Sequence, residues 1–271
     1  MKILVCISKA PDTTSKIAFT DGGSKFDENG VQYIVNPYDE WYALVRALEL
    51  KEAGGGNVTI LSVGGADYEP IIRKALAIGA DDAVRIDAAE SDSLYVAKQI
   101  AAYAKGQAFD IIFCGKETIN YNGSVVPGMV AELLDLPLIS LAVKLTVNGN
   151  TATVEREVVG GEEVIEVATP FVVSAAKGMA EQRIPNMRGI MAARTKPLTV
   201  VPAASAEAST AVKNYTLPPA KSGCKYIDAE NAGSLLQLAL ELAHSTQSGS
   251  RHRLVGADHH RHETGGVVQR L

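Results

Sequence analysis

The sequence predicts an α/β fold with a doubly wound, mostly parallel sheet, and three features of its pattern support this. First, short continuous apolar runs recur, as in strands that are buried on both faces. Second, segments with apolar residues three and four positions apart separate these runs, which is typical of amphipathic helices. Third, the strand and helix patterns alternate, as in parallel sheets covered by helices. The predicted strands are Lys2–Ile7, Val58–Val63, Ala83–Ile86 and Ile111–Cys114.

The helices between these strands are predicted from their apolar spacing. The first begins after Asn36-Pro37, which we predict to supply a cap and a first-turn proline, and Asp39-Glu40 then match the helix dipole. A fourth helix is expected over Val125–Leu134. The predicted apolar faces are Trp41, Leu44, Val45 and Leu48 in the first helix, Ile71, Ala75 and Ile78 in the second, and Leu94, Ala97, Ile100 and Ala101 in the third.

The pattern changes after Pro137. Three β-rich segments follow, and glycine-containing turns separate them, which predicts a meander of β-hairpins added to the sheet. The segments are Leu141–Val147, Thr151–Val159 and Glu163–Val167, joined by Asn148-Gly149 and Gly160-Gly161, and Phe171–Ala176 then returns to an apolar strand.

The last quarter of the chain, from Val201 onwards, predicts appendages rather than a second core. Residues Val201–Lys225 are rich in Ala, Ser, Thr and Pro and have no periodicity, so we expect a surface arm. A final helix is predicted over Asp228–His244, and its leucines lie nearly all round, so it should pack on a partner subunit. We therefore expect a nucleotide-binding α/β domain over residues 1–200, a C-terminal arm and helix over 201–244, and a disordered or artificially added tail over 245–271.

Composition excludes several function classes. The chain has 271 residues and a formal net charge of −5, so no general attraction to nucleic acid or anionic membrane is expected. Cys6, Cys114 and Cys224 are far apart, which predicts neither a disulfide framework nor a metal site. No histidine precedes His244, so acid–base catalysis is not expected. The absence of a signal-like or membrane-spanning run predicts a cytoplasmic protein.

One loop has the position of a nucleotide site. Residues Gly115–Ser124 follow the strand at Ile111–Cys114 and precede the helix at Val125. Backbone N–H groups at such a helix start favour a phosphate, and Asn122-Gly123-Ser124 permits close approach. Neither G-x-G-x-x-G nor the phosphate loop G-x-x-x-x-G-K-[ST] occurs. From the residues alone, an ordinary capped loop between a strand and a helix is as well supported as a nucleotide site.

Five stretches in this order resemble the electron-transfer flavoprotein beta-subunit family, from Met1 to about Val201. They are Val5–Asp12 (VCISKAPD), Val35–Glu40 (VNPYDE), Ala75–Asp81 (ALAIGAD), Gly115–Asn120 (GKETIN) and Arg183–Met191 (RIPNMRGIM). The resemblance implies an adenine-nucleotide alpha-hydrolase-like sheet. It also implies a heterodimer in which an alpha subunit holds a redox FAD. This heterodimer accepts electrons from dehydrogenases, such as the acyl-CoA dehydrogenases of fatty acid oxidation, and passes them to a respiratory acceptor.

The resemblance further implies a nucleotide in the beta chain itself. This is AMP in the simple type and a second FAD in the electron-bifurcating type. The run after Asn120 departs from the family pattern, so the choice stays open, and we favour AMP with a structural role. Carried over by motif, the contacting residues are Cys6, Ser8, Asn36, Val63, Asn122, Gly123, Ser124 and Val125.

A partner surface is also implied. In the family, the loop matching Arg183–Arg194 docks on the dehydrogenase through a leucine, which here corresponds to Met187. From the residues alone, this segment would be an amphipathic helix end packed in the core. The implied partner-binding residues are Arg183, Ile184, Pro185, Met187, Arg188 and Ile190. Two other hypotheses are a stand-alone nucleotide sensor resembling universal stress proteins and, less favoured, an ATP-pyrophosphatase enzyme that would lack its phosphate loop.

Overall fold

The computed structural model of this chain describes residues 1–89, 91–119 and 121–221, together with Gly223, Gly233, Leu236, Gln237 and Leu240. The chain divides into two compact units, Met1–Leu217 and Pro218–Leu271. In the second unit, Gly233, Leu236, Gln237 and Leu240 are helical. The rest of the predicted final helix and the predicted tail lie outside the described residues, so the proposed division at residues 200 and 244 stays a prediction.

Within the described residues, nine strands form the main sheet in the order β11-β10-β9-β12-β8-β1-β6-β7-β13. The seven neighbouring strands β9, β12, β8, β1, β6, β7 and β13 are parallel to one another. On the other side of β9, β10 and β11 continue the sheet as an antiparallel meander. Numbered along the chain, these strands are β1 Lys2–Cys6, β6 Asn57–Val63, β7 Asp82–Asp87, β8 Ile111–Gly115, β9 Leu138–Asn148, β10 Thr151–Val158, β11 Gly161–Ala168, β12 Phe171–Ala175 and β13 Leu198–Pro202. The predicted mostly parallel sheet with an added meander is confirmed.

Two small antiparallel pairs lie beside the main sheet. The first pair is β2 (Lys9–Pro11) with β5 (Tyr33–Val35), and the second is β3 (Phe19–Thr20) with β4 (Lys25–Phe26). They belong to the segment between β1 and the first helix, for which the sequence pattern predicted no strand.

Helices cover both faces of the sheet. They are α1 Asp39–Gly54, α2 Glu69–Ile78, α3 Ser93–Ala104, α4 Val126–Leu134 and α5 Met187–Ala193. Side chains from α1 and α2 form one core with one face of the strands, and side chains from α3 and α4 form a second core with the other face. Successive strand residues point to opposite faces, so Ile3 and Val5 join the first core while Leu4 and Cys6 join the second. This arrangement confirms the doubly wound fold.

The predicted start of the first helix is wrong in its details. Asp39 and Glu40 do form the first turn, but the capping residue is Tyr38 and no side chain caps the helix. Pro37 therefore lies before the cap rather than in the first turn. Asn36 instead donates from Nδ2 to the carbonyl of Glu117 at 2.8 Å and accepts from the N–H of Ile119 at 3.2 Å. Its amide joins the helix entry to the loop after β8, a contact that no local pattern could predict.

The edge strand β13 was not predicted. It pairs in parallel with β7, from Leu198 opposite Ala83 to Pro202 opposite Asp87. The arm was predicted to begin at Val201, but Val201 and Pro202 still belong to the sheet. From residue 203 to residue 221, the chain runs without helix or strand, as expected of an arm.

Candidate functional site

A cleft of about 670 Å³ lies at the carboxyl ends of β1, β6 and β8. From β1 the chain proceeds through α1 to β6 on one side, whereas β8 pairs with β1 on its other side. The strand order therefore reverses at β1, and open α/β sheets bind ligands at such a point. Backbone N–H groups, carboxylates, lysines and tyrosines surround a floor that includes Leu61, Val63, Val96 and Ile100.

The structure brings together six of the eight residues that the sequence suggested for a nucleotide site. The two others lie outside the cleft lining. One is Asn36, which holds the loop after β8 from behind. The other is Asn122, which has a left-handed backbone (φ 48°) and donates its N–H to the carbonyl of Thr118 at 2.8 Å. The six lining residues are Cys6, Ser8, Val63, Gly123, Ser124 and Val125.

The start of α4 closes one end of the cleft. Val125 is the capping residue, and the first helical residues are Val126 and Pro127, which both line the cleft. The first N–H groups of a helix have no intrahelical acceptor, and the helix dipole makes this end positive. Pro127 contributes no N–H, so the available donors are those of its neighbours. This end of the cleft can accept an anionic group.

The serine at this end has a partner in the structure. The Ser124 hydroxyl donates to Oε2 of Glu117 at 3.1 Å, and Oε1 of Glu117 pairs with Nζ of Lys116 at 3.2 Å. An anion at the start of α4 would therefore compete with the Glu117 carboxylate for Ser124. Displacing that carboxylate would release Lys116 to pair with the anion.

Glu40 is one of the cleft residues that the sequence prediction missed. It is only 6% exposed, and its carboxylate accepts from the N–H and the hydroxyl of Ser8, both at 2.7 Å. Burial raises the pKa of Glu40 to about 7, although the two Ser8 hydrogen bonds oppose the shift. A side chain at Gly115 would place its Cβ 2.7 Å from Cγ of Glu40, so this glycine allows α1 to approach β8. The only sequence signal was an acid in the first helical turn, which is also common at ordinary helices.

Lys9 and Tyr68 line the cleft, and Tyr33 lies beside Lys9. Lys9 forms an ion pair with Asp67, and its Nζ lies 4.0 Å from the ring centre of Tyr33 and 5.2 Å from that of Tyr68. The Tyr68 ring packs against Gly64, where a Cβ would lie 2.5 Å from it. This close packing explains why a glycine follows β6.

The arm crosses the mouth of the cleft and is held at three points. The amide of Gln99 exchanges two hydrogen bonds with the backbone of Ala204, at 2.9 and 2.7 Å. Asp92, which caps α3, accepts from the N–H groups of Ser209 and Thr210, both at 2.6 Å. Tyr215 stacks on Phe19 with 5.0 Å between ring centres. The arm residues that line the cleft are Ala208, Thr210, Ala211, Val212 and Tyr215.

The segment suggested for partner recognition lies on the surface. Asn186 caps α5 by accepting from the N–H of Gly189 at 2.8 Å, and Met187, the first residue of the helix, is 74% exposed. Three more apolar residues of this segment are exposed, namely Ile184, Ile190 and Met191. The alternative, that the segment packs its apolar residues into the core of this chain, therefore holds only for Ala193. Arg183 forms a bidentate pair with Glu52 of its own chain, at 2.6 and 3.0 Å.

The described residues also limit other kinds of site. Among them, no helix is long and apolar enough to cross a membrane. Nor do they contain a group of three or more His, Cys, Asp or Glu residues placed to hold a metal ion.

Comparison with known proteins identifies the family. Residues 24–206 match the model of the electron transfer flavoprotein domain. The chain is 36% identical over 249 residues to the electron transfer flavoprotein subunit beta of Bacillus subtilis, covering 88% of this chain and 96% of that protein. It is 37% identical to the subunit of the same name from Syntrophomonas wolfei, covering 85% and 91%. It is also 33% identical to the acryloyl-CoA reductase electron transfer subunit gamma of Anaerotignum propionicum, covering 74% and 77%.

The family-model match covers the chain from β4 to β13, including α5, and it agrees with the resemblance carried by the five sequence stretches. The chain belongs to the electron transfer flavoprotein family, as a member of its beta-subunit group.

Proposed function

We propose that this chain is the beta subunit of a heterodimeric electron transfer flavoprotein and performs no bond-making catalysis of its own. The observation that carries the proposal is the coverage of nearly the whole chain by relatives named subunit beta. In this proposal, an alpha subunit holds the redox FAD. Electrons arrive from dehydrogenases, such as acyl-CoA dehydrogenases, and leave to a respiratory acceptor. A stand-alone nucleotide sensor is disfavoured, because the family match extends through the meander and α5.

The cleft is the proposed site of a structural AMP. Its volume suits a mononucleotide, since small-molecule pockets span roughly 300–1,000 Å³. The start of α4 would hold the phosphate through backbone N–H groups and Ser124, with Glu117 displaced and Lys116 released towards the anion. The arm over the mouth would then enclose the ligand, since Thr210 and Tyr215 line the cleft.

A second candidate is FAD in this cleft, as in an electron-bifurcating complex. One observation favours it, since one relative bears the name of an acryloyl-CoA reductase electron transfer subunit. The two candidates differ in a simple observable, since a second FAD would double the flavin per heterodimer.

The surface around α5 is the proposed docking site for the dehydrogenase. Met187 is exposed and flexible, and such a side chain adapts to a hydrophobic pocket on a partner. Arg188 and Arg194 can steer an acidic surface, which affects the encounter rate more than the affinity. Arg183 is engaged with Glu52, so its part in docking would be to hold the loop in place.

The test is to co-express the chain with an alpha subunit and purify the complex. We expect a 1:1 heterodimer with one FAD, stoichiometric AMP after release and mass analysis, and flavin reduction by an acyl-CoA dehydrogenase with its substrate. A content of two FAD per heterodimer would show that the cleft binds FAD, the second candidate, and not AMP. A chain that stays alone and carries its own reducible flavin would overturn the proposal.

A further inference from the structure

Two free thiols lie side by side on the floor of the cleft. Cys6 ends β1, and this strand pairs in parallel with β8 so that Val5 is opposite Phe113. One residue further along this register, Cys6 is opposite Cys114. Both side chains lie on the same face of the sheet, in the core built around α3 and α4. They line the cleft, although they are only 8% and 4% exposed.

The two side chains are close enough to interact directly. Both thiols belong to the same buried cluster, and the neighbouring Cys114 thiol raises the pKa of Cys6. Neighbouring strands lie about 4.8 Å apart, and disulfides join Cα atoms that are roughly 4.4–6.8 Å apart. A bond between the two sulfurs therefore needs side-chain rotation rather than a new backbone path.

We propose that Cys6 and Cys114 are a redox-active pair. The two cysteines form a reversible disulfide with a low-molecular-weight disulfide as the oxidant, and they do so only while no ligand occupies the cleft. The thiolate of one cysteine attacks the oxidant, forms a mixed disulfide and expels one thiolate, which takes up a proton. The second cysteine, as a thiolate, attacks the mixed disulfide, closes the Cys6–Cys114 bond and expels the second thiol. Two protein thiols thus lose two electrons and two protons, and the oxidant becomes two thiols.

The surroundings of Cys6 determine the rate of this reaction. The neighbouring Cys114 thiol and burial raise the pKa of Cys6 well above its usual value, and the nearby negative groups, including Glu40, add to the shift. The thiolate is the nucleophile, so oxidation is slow at neutral pH and accelerates as pH rises.

The alternation with a ligand rests on the proposed function, whereas disulfide formation does not. A nucleotide in the cleft would lie between the two sulfurs and the solvent. With nucleotide at about 100 times its Kd, only about 1% of clefts are empty, so oxidation should slow roughly 100-fold.

The experiment uses the full-length chain, freed of nucleotide and incubated with glutathione disulfide. After alkylation of the remaining thiols, mass spectrometry should find the peptides of Cys6 and Cys114 joined with the loss of two hydrogen atoms. Cys6→Ser and Cys114→Ser should each abolish this product. Cys224→Ser removes the third cysteine, which lies outside the described residues, and should form the product as the wild type does.

A second measurement, the binding of an arsenical, tests directly whether the two thiols are adjacent and accessible in each variant. Phenylarsine oxide bridges two adjacent thiols, so it should bind 1:1 to the wild type and to Cys224→Ser but not to either single variant of the pair. If the arsenical binds and no disulfide forms at pH 8.5, or if neither product forms, the proposal is overturned. If the disulfide forms equally fast with and without saturating AMP or FAD, the redox pair stands and the nucleotide assignment of this cleft fails.

Discussion

At the scale of single residues, Glu40 should make stability depend on pH. Burial raises its folded-state pKa from 4.5 to about 7. Between these values, the folded chain keeps a proton that the unfolded chain has lost, so the free energy of unfolding falls as pH rises from 4.5 to 7. The loss is about 3 kcal/mol, at about 1.4 kcal/mol per pKa unit, and it is complete above pH 7. Glu40→Gln should remove this dependence, as measured by urea unfolding at pH 5, 6, 7 and 8.

Glu52→Gln is the matched control because its shift has the opposite sign. The hydrogen bond from Arg183 lowers the pKa of Glu52, so its stabilisation is lost as pH falls rather than as it rises. Stability profiles for wild type and Glu40→Gln that stay parallel from pH 5 to pH 8 would contradict the assignment of Glu40.

Met187 should contribute to docking but not to folding. The side chain is 74% exposed at the start of α5. Met187→Ala should weaken the productive encounter with the dehydrogenase by about 1–2 kcal/mol, because it truncates an interface anchor. Steady-state electron transfer from the dehydrogenase measures this effect, and thermal melting of the complex measures stability.

The control is Met179→Ala, which removes a methionine that is only 4% exposed. It should lower stability by about 2–5 kcal/mol, as for other buried truncations, and leave transfer by the folded fraction unchanged. A Met187 variant that melts markedly lower while transferring electrons normally would place Met187 in the core after all.

At the scale of elements, the contact between α2 and α5 depends on a glycine. A Cβ at Gly189 would lie 2.2 Å from the carbonyl oxygen of Ala77. Gly189→Ala should therefore push α5 away from α2 and cost about 1–3 kcal/mol, the usual range for overpacking. Gly54→Ala is the control, because an added Cβ at that helical position meets no neighbouring atom. The free energy of unfolding of this variant should rise by up to about 1 kcal/mol. Chemical unfolding of both variants measures these free energies. Equal changes in the two variants would show that α5 can shift away from α2 without loss of stability.

The arm should depend on the carboxylate that caps α3. Asp92 accepts from the N–H groups of Tyr95, Ser209 and Thr210, so Asp92→Ala removes one cap and two anchors of the arm. We expect faster hydrogen exchange at residues 208–212, while the central strands stay protected. Lys213→Ala changes an exposed side chain of the same arm and should leave exchange as it is. Unchanged exchange in the Asp92 variant would mean that Gln99 and Tyr215 hold the arm without it.

The elements also show which parts of the structure could be predicted. Strands such as β1 and β8 are buried on both faces, so their apolar runs are visible in the sequence. The edge strand β13 has half-buried and exposed residues, and it gave no such run. Asn36 was misassigned as a cap because its partners, Glu117 and Ile119, lie about 80 residues away in sequence. The cleft was predicted only where its residues belong to a motif, whereas Glu40 and the arm depend on tertiary contacts.

At the scale of the whole molecule, the proposed nucleotide should stabilise the heterodimer rather than carry electrons. Gly123 offers a way to separate these roles. An added Cβ would have no heavy atom nearer than 3.8 Å, with Ser93 and Val125 as its neighbours, and no positive φ prevents the substitution. Gly123→Leu should therefore fold within about 0.5 kcal/mol of the wild type as an isolated chain, while its side chain enters the cleft beside the start of α4.

In the heterodimer, Gly123→Leu should release AMP and lower the melting temperature to that of the nucleotide-free wild-type complex, because a ligand stabilises only the state that binds it. Electron transfer per intact complex should stay the same. Gly161→Leu, at an open position in the edge strand β11, should keep both the nucleotide and the melting temperature. Nucleotide content after release, melting temperature and single-turnover flavin reduction are the three measurements. A Gly123→Leu complex that keeps stoichiometric nucleotide would show that the phosphate is not held at the start of α4.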